Sequence, residues 1–134
     1  GLASTPCSTQ SLKLHACPSS PVSDAYGTDA PLLAALPGHD QPLHPKLTCT
    51  EAMVRFAIRH EAARTIEDIL ARRTRALFHD ASAAAASIER VAEIVSEELK
   101  PSPERLAAMV DAAHRSAGYF SLSSEKIRGP ASRA

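Results

Sequence analysis

The chain has 134 residues, with fifteen Lys+Arg balanced by fifteen Asp+Glu, no Trp, two Tyr and three Phe. It therefore lacks the positive excess and the stacking surfaces of a nucleic-acid binder. No apolar run approaches the roughly 18 residues of a membrane span, and the length suits one domain with tails.

Residues 1–25 contain six serines, two threonines and three prolines, with neither a helical nor an alternating period. Such a stretch buries too little to offset roughly 1–2 kcal/mol of backbone entropy per residue. It reads as an irregular Ser/Pro-rich leader, and it shows no basic region followed by an apolar stretch of the signal-peptide type. Cys7, Cys17 and Cys49 are an odd set, better suited to reduced cytosolic thiols than to a disulfide framework.

Residues 26–120 read as all-α, a small bundle of about five helices punctuated by Pro and Gly. Gly27 supplies a turn, Thr28 or Asp29 a cap, and Pro31 a first helical turn. Leu32, Leu33 and Leu36 then share a face until Pro37-Gly38 ends the helix, and residues 37–47 form a loop. Thr48 and Glu51 have capping-box spacing, which starts the next helix at that box. Met53, Phe56 and Ala57, widened by Val54 and Ile58, make its buried stripe.

A second box, Thr65-Ile-Glu-Asp68, predicts a break or kink near residues 62–64 and a helix from Ile66 to about Arg73, with one uninterrupted helix as the alternative because no Gly or Pro enforces the break. Asp80 caps the longest predicted helix, residues 81–99, with the stripe Ala84, Ile88, Val91, Ala92, Val95 and Leu99. Ser102 and Pro103 start the last one, which buries Leu106, Val110, Ala113 and Ala117 and frays at Gly118. Residues 121–134 hold one leucine and one isoleucine and read as a disordered tail.

Chemistry-bearing motifs are scarce. His60-Glu61-Ala-Ala-Arg64 has arginine where the helical zinc motif needs its second histidine. The remaining histidines and cysteines lack paired ligand spacing. Gly1, Gly27, Gly38, Gly118 and Gly129 cannot build a dinucleotide fingerprint or a phosphate loop, and no serine sits in a nucleophile elbow. The chain by itself is expected to hold no cofactor or metal and to do no catalysis.

The densest feature is residues 55–75, where Arg55, Arg59, Arg64, Arg72, Arg73 and Arg75 alternate with Glu61, Glu67 and Asp68 between apolar residues. Asp68 lies four residues from both Arg64 and Arg72, so it can sit between two guanidiniums on one helix face. Three fates are open for these charges: a solvated face, a network clamping two helices, or a surface for an acidic or phosphate-bearing partner. A DNA-binding helix over residues 66–75 fails on charge, because Glu61, Glu67 and Asp68 cancel the local excess.

Several segments together carry a family resemblance: Tyr26-Gly-Thr-Asp-Ala30, Thr50-Glu-Ala52, Val54-Arg55, Arg59-His-Glu61-Ala62, and Thr65 with Glu67-Asp68. Leu70-Ala-Arg72-Arg73-Thr74-Arg75, Val91-Ala-Glu-Ile94 and Glu97-Glu98-Leu99 complete the set. From Tyr26 to about Leu99 the chain resembles the helical C-terminal domain of FAD-dependent glycerol-3-phosphate dehydrogenase and α-glycerophosphate oxidase. The Ser/Pro-rich leader departs from the family's helix there, and Met53 replaces an acid common in it.

The resemblance implies an accessory domain whose parent oxidises sn-glycerol 3-phosphate to dihydroxyacetone phosphate. Electrons would pass through FAD to quinone, or to oxygen in the oxidases. It implies the parent's FAD-binding and cap domains as partners, with no nucleic acid and with room for a homo-oligomer. The parent would be cytoplasmic and peripheral at the inner face of the cytoplasmic membrane. No catalytic residue transfers. Tyr26, Gly27, Arg55, Glu61, Arg64, Thr65, Asp68, Arg72, Arg73 and Arg75 are the structural or interface candidates. A free-standing helical interaction or oligomerisation module is the alternative.

Overall fold

The apolar stripes become helices in a computed structural model of the chain, which describes residues 25–121. Leader and tail lie outside that span except at residues 25 and 121. The described residues are all-α, as the periodicity requires, but they use more and shorter helices than the expected five. A 3₁₀ turn at Gly27–Asp29 leads into α1 (Ala30–Ala34), α2 (Glu51–His60) and a π-helix (Asp68–Arg73). Then follow α3 (Ala76–His79), α4 (Ala81–Ala86), α5 (Ile88–Leu99) and α6 (Pro103–Phe120). An isolated bridge between Pro42 and Thr50 is the one β-type pairing among the described residues.

The Thr48–Glu51 capping box does not form. α2 starts at Glu51 with Thr50 in the cap position, whose side chain makes no capping bond. The helix end is satisfied by the preceding loop instead: Glu51 N–H donates to the Gln41 carbonyl (3.0 Å) and Ala52 N–H to the Gly38 carbonyl (3.3 Å). Gly38 has φ +81, and a Cβ there would sit 2.5 Å from Glu51 Cβ, so the close approach depends on glycine. With its donors met, α2 frees the Glu51 carboxylate for other work.

α2 ends where a break was expected. Ala62 takes the left-handed conformation (φ 57), and the Glu61 and Ala63 N–H groups both reach the Ala57 carbonyl. The second box forms reciprocally: Asp68 N–H donates to Thr65 Oγ1, and Thr65 N–H to Asp68 Oδ2, each at 3.0 Å. The turn it opens widens into a π-helix, closed by Thr74 N–H on the Ile69 carbonyl five residues back, with Thr74 Oγ1 bonded to the same oxygen.

The predicted long helix over residues 81–99 is two helices. Asp80 does cap the first, accepting from Ala83 N–H at 2.8 Å. Buried Ser87 then interrupts the ladder: its Oγ donates to the Ala83 carbonyl at 2.8 Å and its N–H turns to Ala84. Ser102 caps α6 as expected. Gly118 does not fray α6, which continues to Phe120.

The core gathers Val54, Ala57 and Ile58 of α2 with Ile66, Ile69 and Leu70 of the next turn. Leu77, Ile88, Val91, Ile94 and Val95 meet them, and Met109, Ala113 and Ala117 close the far side. A smaller cluster of Leu33, Ala52 and Phe56 holds α1 to the other side of α2. Leu32, expected on that face, points out to solvent at 51% exposure, because neighbouring residues of a helix lie roughly 100° apart and Leu33 takes the inward face.

Left-handed Ala62 is strained by its Cβ and exposed. Ala62→Gly is expected to raise the stability by about 0.5–1 kcal/mol, seen as a rise of several degrees in Tm. An unchanged or lower Tm would show that the loop carries no such strain.

Candidate functional site

The most highly organised polar feature is the charged seam between α2 and α5. Glu51, Arg55 and Arg59 follow one another at helical spacing along α2. Glu51 accepts from Arg90 twice, at 2.7 Å from Nε and 2.9 Å from Nη2. Arg55 spans two acids, Nη1 to Glu98 Oε1 at 2.9 Å and Nη2 to Glu97 Oε2 at 2.7 Å. Arg59 grips Glu98 with Nε at 2.8 Å and Nη2 at 2.7 Å. Arg90 also reaches Glu93 on its own helix.

The seam is shielded. The Arg55 and Glu98 side chains are each only 10% exposed. Hydrogen bonds from Arg90 hold the Glu51 carboxyl below its ordinary value, and those from Arg59, then Arg55, do the same for Glu98. Burial pulls the Arg55 pKa down, but Glu97 and Glu98 more than restore it. The arrangement is a clamp: fixed donors on fixed acceptors, leaving little charge for a substrate.

The other expected site residues divide into small local groups. Tyr26, next to left-handed Gly27, packs edge-on against Phe56 with ring centres 5.1 Å apart, tying the entry turn to α2. Arg73 Nε donates to the Glu61 carbonyl at 2.9 Å and bridges the break. Arg72 pairs with Asp68 at 2.7 Å and Glu67 at 2.9 Å, while staying 57% exposed. Burial raises the Asp68 pKa, but the hydrogen bonds from Thr65, Arg64 N–H and Arg72 outweigh it, for a net depression.

The expectation that Asp68 lies between two guanidiniums is corrected: Arg64 offers it only its backbone N–H, at 3.2 Å. The Arg64 side chain turns instead to a pocket of about 200 Å³ shared with Arg105, Leu99, Pro101 and Met109. Arg75, left-handed at φ 56, lies over the Phe78 ring at 5.7 Å. Arg55 is thus the candidate that joins the clamp, while Glu51, Arg59, Arg90, Glu97 and Glu98 were not singled out as site residues. Their signal was present: Glu93 and Glu97 are like charges four residues apart, and neither Glu97 nor Glu98 has a cation four residues before it on α5.

Among the described residues, no group of three or more His, Cys, Asp or Glu is placed to hold a metal ion. Cys49 is free and buried, and burial pushes its thiol pKa up. Among the described residues, Gly38 packs against the Glu51 side chain, whose negative charge opposes a pyrophosphate, and Gly27 is followed by a single 3₁₀ turn. An open groove of about 650 Å³ lies between α5 and α6.

Fold and seam together define a small helical domain whose best-organised ion pairs hold its own helices together. The family described as the C-terminal domain of alpha-glycerophosphate oxidase matches residues 7–106, and the chain belongs to it. The match takes in most of the leader and ends inside α6. No curated protein and no solved structure matches the chain.

Arg55→Ala removes a largely buried side chain and leaves Glu98 with Arg59 alone, and is expected to cost about 3 kcal/mol, whereas exposed Arg72→Ala stays within about 0.5 kcal/mol. Thermal melts should separate the two by about 10 °C or more. Equal shifts would deny the seam its role.

The depressed carboxyls Glu51 and Glu98 contribute stability that is complete above their ordinary value of 4.5 and is lost as pH falls through their lower folded values. Tm is therefore expected to drop on acidification below pH 4.5, and Glu98→Gln to lower Tm at neutral pH while flattening that drop. A Gln variant with the wild-type acid profile would locate the sensitivity elsewhere.

Proposed function

We propose that this chain is the accessory C-terminal helical domain of an FAD-dependent glycerol-3-phosphate dehydrogenase, with a structural and docking role. In this reading the parent oxidises sn-glycerol 3-phosphate to dihydroxyacetone phosphate and passes electrons through FAD to quinone. FAD and substrate are held by the parent's FAD-binding and cap domains, which are this domain's partners. The parent is cytoplasmic and peripheral at the inner face of the cytoplasmic membrane.

The observation that carries the reading is the family match over residues 7–106. The physical character of the domain supports it, since its best-organised polar interactions are ion pairs between its own helices. Among the described residues no helix is long and apolar enough to cross a membrane.

The purified 134-residue chain is expected to carry no flavin absorbance and to leave glycerol 3-phosphate unoxidised with a dye acceptor. Mixing it with the separately produced flavin-bearing part of the parent should raise the Tm of both. Unaided turnover, or no mutual stabilisation at high micromolar concentration, would defeat the reading.

A further inference from the structure

The arginine-rich segment is poorly placed to be the docking surface. Arg55, Arg59, Arg72 and Arg73 all have carboxylate or carbonyl partners inside the domain. Breaking those pairs to engage another protein would cost what the new pairs returned. A docking face should instead combine uncovered apolar surface with charge that the domain does not itself neutralise.

The groove between α5 and α6 combines half-buried apolar side chains with acidic charge that the domain neutralises only in part. Its floor is Ala92, Leu106 and Val110, with Pro103 and Ala107 along the α6 side. Leu106 and Val110 are only half-buried. The charged residues lining it are Glu89, Glu93 and Asp111, all acidic. Glu89 is 73% and Glu93 62% exposed, and their partners, His114 and Arg90, lie outside the groove lining. Asp111 makes no ion pair among the described residues.

We infer that this groove receives a basic amphipathic helix of the parent's flavin-bearing part. Apolar side chains of that helix sit on Ala92, Leu106 and Val110, and its Lys or Arg residues meet Glu89, Glu93 and Asp111. The two helices line it along about 10 Å, or two turns, which suits a helix segment with anchors at i, i+3 and i+4. The inference rests on the appended-domain reading, and it names the surface through which that domain docks.

The test uses the full chain and a synthetic helical peptide of about 18 residues, leucines on one face and lysines flanking them. A control peptide carries glutamates in place of the lysines. The variant is Glu89→Lys with Asp111→Lys, both exposed; Glu93 is kept because it holds Arg90.

The wild-type chain should bind the lysine peptide with Kd of about 10–100 μM. The double variant should weaken that at least about tenfold while staying folded, its Tm lower by no more than several degrees, and reverse the preference between peptides. Amide shifts should move at Ala92, Leu106 and Val110. Equal binding by wild type and variant, or shifts centred on the exposed Phe78–Phe120 pair, would overturn the assignment.

With the parent's flavin-bearing part as the probe, loss of binding in the variant supports the groove. Undiminished binding overturns the groove and leaves the appended-domain reading standing. Failure of even the wild type to bind that part would count against both.

Discussion

The rest of the domain depends on α2 and α5 being held side by side, in parallel, by charge. Glu51 with Arg90 and Arg59 with Glu98 keep the same sequence offset, so the two helices run in the same direction. Parallel neighbours align their macrodipoles, an unfavourable arrangement. The seam answers it asymmetrically. α2 carries its charges in the favourable sense, Glu51 in its first turn and Arg59 in its last. α5 has Glu89 favourably in its first turn but reverses the sense at its other end, with Glu97 and Glu98 in the last turn and no base there. Taken alone, α5 is destabilised at its C-terminus. Against α2, its acids become acceptors for Arg55 and Arg59, and the pairing couples the formation of one helix to the presence of the other.

The same charges fix register. Apolar stripes of Val54 and Ile58 against Val91 and Val95 would tolerate sliding by one turn, since aliphatic contacts are adaptable. Slipping α5 by one turn in one direction would bring Arg90 opposite Arg55, cation against cation. Buried ion pairs often gain little stability over well-packed hydrophobes, because desolvation offsets attraction. Their contribution here is to exclude the wrong alignments. Parallel helices also need a long return, and the chain between them supplies it in short steps. Ala62 breaks α2, the π-helix and left-handed Arg75 redirect the chain, and Ser87 bends it into α5. Each step is a local device, and together they explain why the bundle has more helices than its apolar stripes suggest.

How much of this was legible in the sequence follows from the range of each interaction. Devices closed within four residues were readable: the Thr65–Asp68 box, the Asp80 and Ser102 caps, the turn at Gly27 and the break after α2. Stripes such as Ile88, Val91 and Val95 were readable because burial on one helix face imposes its own period. Errors came where a distant partner changed a local preference. Glu51 has the spacing of a box with Thr48, but Gly38 and Gln41 meet the helix donors first and Arg90 takes its carboxylate. Ser87 sits in an alanine-rich run that reads as uninterrupted helix, and only its burial turns its hydroxyl back onto the ladder. Arg64 matched Asp68 by spacing, yet it lies in the non-helical stretch after left-handed Ala62, where i, i+4 side chains do not share a face. The clamp acids were visible as residues but not as a site, because their partners lie about forty positions away along the chain.

That distance also changes what the arginine-rich segment means for function. Read along one helix, six arginines look like a surface awaiting an anion. In three dimensions, four of them already hold acids or carbonyls of the domain, and Arg75 lies over Phe78. The buried and paired charge of Arg55 contributes to rigidity and cannot be counted again as affinity for a partner, while Arg59, Arg72 and Arg73 stay partly exposed around their internal partners. An equal number of acids and bases therefore does not mean a neutral surface everywhere. Consuming arginines at the α2–α5 seam, together with Glu98 and Glu51, leaves Glu89, Glu93 and Asp111 as the charges that line the α5–α6 groove. The internal clamp and the acidic groove share α5, one along each flank. The seam that fixes the register of that helix also fixes the position of the groove wall, so any partner docking there meets a surface already set by Arg55 and Arg59.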